Sequence, residues 1–141
     1  MLDYTQEMNL KSESGYCMPF KADAINMLLG FGEQKDPRTG EKFNHTGIDL
    51  ECKNMALQAM ASSVVSGIFS DRKYGFTQII TYGDYDVTYR PLTQVFANIG
   101  QQVRAGQQVA TSGNWLHIEV KYKDNIIKPD DFLGMVFGNM K

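Results

Sequence analysis
Hydrophobic positions in this chain come in short runs, several alternating with polar residues, and glycine or proline breaks them up at close intervals. Alternation marks a strand with one buried face, whereas a helix repeats about every 3.6 residues. Ala56 to Ala61 leads into Ser62 to Ser70, where Val64, Val65, Ile68 and Phe69 favour a strand and Gly67 interrupts it. Phe76 to Tyr82 reads F-T-Q-I-I-T-Y, and Gly83-Asp84 makes a turn. Asp86 to Leu92 is a third run, which Pro91 is expected to end. From Asn98 to Ala110 glycines recur, with valines at Val103 and Val109, which predicts short strands turning at each glycine. Trp115 to Lys121 alternates and reads as a strand. Pro129 to Leu133 is expected to form a short cap or turn before an apolar tail.

The first part of the chain has less pattern. Met1 to Ser14 carries mixed charge and no clean period, and reads as a strand or a loosely attached arm. Ala22 to Leu29 fits either one short helix or a strand entering a glycine turn. Gln34 to Gly40 is a loop, with Asp36-Pro37 and Thr39-Gly40 as turn signals. Many short strands with turns between them favour an all-β barrel or sandwich. The expected layout is an N-terminal arm over 1–30 that packs on a domain over 31–141.

Composition narrows the function classes. At 141 residues the chain is the size of one domain, and 43% hydrophobic content is enough for an ordinary core. A net charge of -2 gives no basic footprint for nucleic acid. No apolar run approaches the roughly 20 residues of a membrane helix. Met1 to Ser14 has no apolar segment of the signal-peptide kind. Cys17 and Cys52 are too few for a disulfide framework; unpaired thiols or one bridge both fit.

The candidate chemistry lies in two stretches. Phe43 to Leu50 reads F-N-H-T-G-I-D-L and puts His45 and Asp49 four positions apart. Asn114 to Val120 contains His117, and these are the chain's two histidines. Zinc takes imidazole nitrogen and carboxylate oxygen, and catalytic sites commonly use three protein ligands. His45, Asp49 and His117 can supply them, with Gly47 letting the backbone bend close. On spacing alone, a chance His–Asp pair and a hydrogen-bonded core histidine fit equally.

Several ordered motifs then resemble the lysostaphin-type (LytM-type) zinc endopeptidases, which cut peptidoglycan cross-bridges. The resemblance spans about 31–133. His45-Thr46-Gly47-Ile48-Asp49 matches H-x-G-x-D, and Ala59 to Gly67 resembles the strand that follows it. Thr88-Tyr89-Arg90-Pro91-Leu92 stands where the family has T-Y-x-H-L. Gly100 to Val109 matches its G-Q-x-V turns, and Trp115 to Val120 stands for H-L-H-F-E-V. Pro129 and Phe132-Leu133 match the closing motif. The resemblance implies a mainly β fold of two antiparallel sheets, a barrel-sandwich hybrid with few short helices. It implies a zinc cofactor held by His45, Asp49 and His117. It also implies work in the cell envelope or outside the cell. Glu119, two positions after His117, shares its strand face and either orients that imidazole or is a surface or structural carboxylate.

Two departures stand out. Active members carry histidines at the positions of Trp115 and Pro91, where they assist the catalytic water. Indole only donates, and proline has no polar side chain. The segment Thr111 to Asn114 is also shorter than the family's glycine-rich loop. Tyr82, Tyr85, Tyr89 and Arg90 are the nearby groups that can stabilise an oxyanion; packed tyrosines and a solvated arginine are the plainer reading. Trp115 is either a stacking platform or a filler of vacated space. The expected function is therefore a zinc peptidase-like domain with impaired hydrolysis, a pseudoenzyme that binds a peptidoglycan peptide or a protein partner. The alternatives are an active zinc endopeptidase with remodelled catalysis and a non-metal structural module.

Overall fold
The computed structural model describes residues 4–140 of the chain. A 3-10 turn at Tyr4–Gln6 precedes strands β1 (Met27–Leu29), β2 (Gly32–Lys35), β3 (Lys42–His45), β4 (Ile48–Glu51) and β5 (Ala56–Gln58). There follow β6 (Ser63–Asp71), β7 (Gly75–Tyr82), β8 (Tyr85–Val95), β9 (Gln102–Val103), β10 (Gln108–Tyr122) and β11 (Asn125–Ile127), then helix α1 (Pro129–Gly138). Among the described residues, nine strands form one sheet in the order β1-β4-β10-β8-β7-β6-β9, with β5 and β11 also paired to β10. Strands β2 and β3 form a separate two-stranded sheet. All pairings are antiparallel. The fold is mainly β, in two antiparallel sheets with one short helix, as the sequence reading expects.

Strand β10 orders the sheet. One edge pairs with β8 along most of its length. The other edge meets β5 at 108–111, β4 at 115–118 and β11 at 120–122 in turn. The pairing with β8 skips from Ser112 to His117 on β10 while advancing only from Leu92 to Arg90 on β8. Pro91 falls in that skip. This corrects the expectation that Pro91 ends its strand: β8 runs on to Val95 because a residue without an N–H costs nothing where the ladder is already interrupted.

The core lies on one face of this sheet. Leu50, Leu57, Val65, Ile80, Val87, Leu116 and Val120 are fully buried there. Helix α1 adds Phe132, whose ring centroid lies 5.7 Å from that of Tyr82 and 5.1 Å from that of Tyr85. Pro129, Phe132, Leu133 and Val136 of this helix are buried, so the segment expected as a cap is a full helix with Pro129 at its start.

The chain before β1 packs against this body. Leu10 and Phe20 are buried, and the Tyr4 hydroxyl donates to Asp131 of α1. The Ser62 amide donates to Ser12 Oγ at 2.8 Å, and the Ala105 amide to Ser14 Oγ at 2.9 Å. Of Ala22 to Leu29, only Met27–Leu29 is regular, and it is a strand. Cys17 and Cys52 are free thiols, and burial pushes both pKa values up.

Candidate metal centre
Alternation along three adjacent strands decides which side chains share a face. Ile48 and Leu50 of β4, Val87 and Tyr89 of β8, and Leu116, Ile118 and Val120 of β10 all point into the core. Their neighbours Asp49, Arg90, Trp115, His117 and Glu119 therefore stand on the opposite face. Register brings them level: His117 lies across from Asp49 on one side and from Arg90 on the other. His45 arrives from the second sheet, at the end of β3. Thr46 and Gly47 carry the chain from there into β4, passing tightly against β10.

The three predicted ligands meet. One donor atom from each of His45, Asp49 and His117 lies within 4.8 Å of the others. His45 Nε2 is 3.3 Å from Asp49 Oδ1, and His117 Nδ1 is 2.6 Å from the same oxygen. The two imidazole centroids are 5.1 Å apart. All three side chains are largely shielded, at 11%, 17% and 5% exposure for His45, Asp49 and His117.

The outer ring nitrogens set the tautomers. His45 Nδ1–H donates to the Gly30 carbonyl at 2.7 Å, which turns Nε2 inward as a lone pair. His117 Nε2–H donates to Glu119 Oε1 at 2.9 Å, which turns Nδ1 inward. A bare Nδ1 lone pair facing a carboxylate oxygen at 2.6 Å is repulsive. The contact is favourable only with a second ring proton or with a cation shared by the two atoms. Burial alone lowers the pKa of His117, but hydrogen bonds to Glu119 and Asp49 outweigh it and leave it raised. Two inward nitrogens and one carboxylate oxygen fit a zinc-type cation in donor type and number.

Glu119 is held from three sides. It accepts from His117, from Thr46 Oγ1 at 2.7 Å and from Arg90 at 3.4 Å. The His117 hydrogen bond is the main reason its pKa falls to about 2, with burial opposing and Thr46 assisting. Such a partner fixes ring orientation and raises ligand basicity. Thr46 sits inside the motif read from the sequence, yet its bond to Glu119 depends on the β3–β4 crossing and has no local signature.

The weak catalytic candidates divide. Arg90 is on the site face and half exposed. Tyr82, Tyr85 and Tyr89 are in the core, no more than 1% exposed, which removes all three from the site. The physical reason is alternation: in Tyr89-Arg90 only one residue can face the His45–Asp49–His117 cluster. Burial holds the Tyr89 phenol well above its usual pKa. Trp115 stands beside the cluster, its ring 6.3 Å from His117 and nearly perpendicular to it at 81°.

The sequence profile of Peptidase family M23 matches residues 43–129. The chain belongs to peptidase family M23. The matched segment holds all three clustered residues, His45 and Asp49 near its start and His117 near its end. No curated protein matches the chain by sequence. Its fold is similar to solved M23-type structures. Lysostaphin from Staphylococcus simulans aligns with TM-score 0.71 and 17% identity over 93% of this chain and 58% of its own. A zinc-containing peptidase from Vibrio cholerae aligns with TM-score 0.69 and 22% identity over 81% of this chain and 39% of its own. A chain of the SpoIIIAH–SpoIIQ complex aligns with TM-score 0.68 and 20% identity over 83% of this chain and 99% of its own. The M23 chain described here thus spans well under two thirds of the first two proteins.

Proposed function
We propose that the chain holds one zinc ion through His45 Nε2, Asp49 and His117 Nδ1, and recognises a peptide beside it with little or no hydrolysis. The metal part is supported by the convergence of those three donors within 4.8 Å, each imidazole having its outer nitrogen already engaged. When bound, zinc supplies Lewis acidity at a position left open by three protein ligands. The peptidase-like domain is taken as residues 31–141, with 1–30 as an arm packed on it.

Little or no hydrolysis is expected because the site is short of proton carriers. The chain has two histidines, and both are committed to the cluster. Near them stand Trp115, a donor only, and Pro91, with no side-chain donor or acceptor. Arg90 can stabilise negative charge but cannot take up a proton at neutral pH. General acid or base groups contribute roughly 10²–10⁴-fold each, so the lack of two costs about 5–10 kcal/mol of barrier lowering if they act independently.

The recognised molecule is taken to be a peptidoglycan peptide or a protein partner, in the cell envelope or outside the cell. The fold's likeness to a chain of a protein–protein complex supports a partner role. Among the described residues no helix is long and apolar enough to cross a membrane.

Elemental analysis of protein purified without chelator tests the metal: zinc near one per chain is expected, and its loss in His45→Ala. Incubation with peptidoglycan and oligoglycine peptides tests hydrolysis. Efficient chelator-sensitive cleavage that disappears in His45→Ala would replace this reading with an active enzyme assisted by Arg90.

A further inference from the structure
Next to the metal centre a cleft of about 420 Å³ opens between the β6–β7 hairpin and the paired strands β8 and β10. Its apolar lining is Tyr74, Phe76, Pro91 and Trp115. Three of these are aromatic rings left open to water, at 64%, 37% and 38% exposure for Tyr74, Phe76 and Trp115. A grouped exposed apolar surface of this kind marks a binding site more often than a scattered one does.

Two charged side chains line the cleft, and they differ. Asp71 closes the hairpin turn, its Oδ1 accepting the backbone N–H groups of Lys73 at 2.7 Å and Tyr74 at 3.3 Å. Arg90 is hardly used: among the described residues its guanidinium meets one polar partner, Glu119 Oε1, at 3.4 Å. A guanidinium carries a planar fork of N–H donors that matches a carboxylate. Most of that fork is free to face the cleft.

We propose that this cleft binds the free carboxylate end of a peptide: Arg90 takes the terminal α-carboxylate, and the wall of Trp115, Phe76 and Tyr74 takes an apolar last side chain. This rests on the reading that the domain recognises a peptide beside zinc, and it specifies which end. Charge supports an anionic ligand. Arg90 is the one cationic side chain lining the cleft, and its 3.4 Å contact with Glu119 leaves most of its donors unused. Asp71, the one anionic side chain there, is engaged by the backbone N–H groups of its own turn. A neutral glycan can stack on the same rings but makes no use of the guanidinium fork.

Trp115 is the chain's one tryptophan, so its fluorescence reports on this cleft alone. The full chain, loaded with zinc, is titrated with N-acetyl-glycyl-leucine and with the same peptide as its C-terminal amide. The acid is expected to perturb Trp115 emission and to bind about tenfold or more tightly than the amide. Arg90→Gln should erase that preference, and Arg90→Lys should keep part of it. Zinc content and melting temperature, measured on the same samples, show separately whether the metal or the fold has been lost. Equal affinity for acid and amide overturns the carboxylate anchor and leaves peptide recognition standing. No response to either peptide, with saturation by a neutral chito-oligosaccharide instead, overturns both.

Discussion

A methyl carbon placed on Gly47 would sit 2.3 Å from the carbonyl oxygen of Ile118 and 2.9 Å from the His117 ring. The first of these neighbours is backbone, so it cannot rotate away. Gly47 is required by this close approach, and the segment joining His45 to Asp49 is pressed against the strand that carries His117. Gly47→Ala is therefore expected to cost about 3 kcal/mol, measured by urea denaturation, and to weaken zinc binding in parallel. A variant within about 0.5 kcal/mol of the parent, with zinc retained, would mean that the two segments are not so closely joined.

Glu119→Gln keeps the size of the side chain but removes the charge that holds His117 Nε2–H. Partners of this kind are typically worth roughly 10–100-fold in metal affinity. Competition against a chelating dye should show a loss in that range. Unchanged affinity would make Glu119 a bystander to the imidazole.

Trp115→His and Pro91→His together restore imidazoles where active M23 relatives are expected to have them. If the rest of the site is intact, chelator-sensitive cleavage of an oligoglycine peptide should rise by about 10²-fold or more per restored group. No gain at all would place the defect in the groove itself, with the short Thr111 to Asn114 segment as its cause.

Tyr82 and Tyr89 are fully buried, and burial raises both phenol pKa values well above the ordinary 10.0. Below pH 10 these phenols are protonated in both folded and unfolded chains, so their contribution to stability is fully present. Above it the unfolded chain releases protons that the folded chain retains, and stability falls as pH rises, by up to about 1.4 kcal/mol per group per pH unit. Phenolate absorbance should therefore show a fraction of the seven tyrosines titrating only with unfolding. Reversible ionisation of all seven, with circular dichroism unchanged, would contradict this burial.

The sequence was most informative where side-chain period and turn residues agree. The runs at Phe76 to Tyr82 and Trp115 to Lys121 lie within β7 and β10, and Gly83 makes its turn with φ 57°. The three clustered residues were legible through the resemblance of several ordered motifs to a known family, since spacing alone left a chance pair and a core histidine equally open. Pro91 misled because its effect depends on a register skip in the neighbouring strand, which no local pattern encodes. For Tyr89 the plainer reading of a packed ring holds, and which face of β8 looks inward is fixed by the strands beside it. Of the cleft, the sequence offered Trp115 as a stacking platform and Arg90 as a nearby charge, and missed Tyr74 and Phe76. Tyr74 lies in the β6–β7 turn and Phe76 near the start of β7, and their meeting with Trp115 comes from folding rather than from spacing.

His117 and Asp49 are direct cross-strand partners in the β4–β10 ladder. Slipping that ladder by one position would exchange His117 for Leu116 or Ile118 and turn the ring into the interior. Binding of the proposed zinc therefore requires this strand alignment. On that proposal, a zinc titration of freshly refolded protein is expected to count the molecules whose β4–β10 ladder has docked in register.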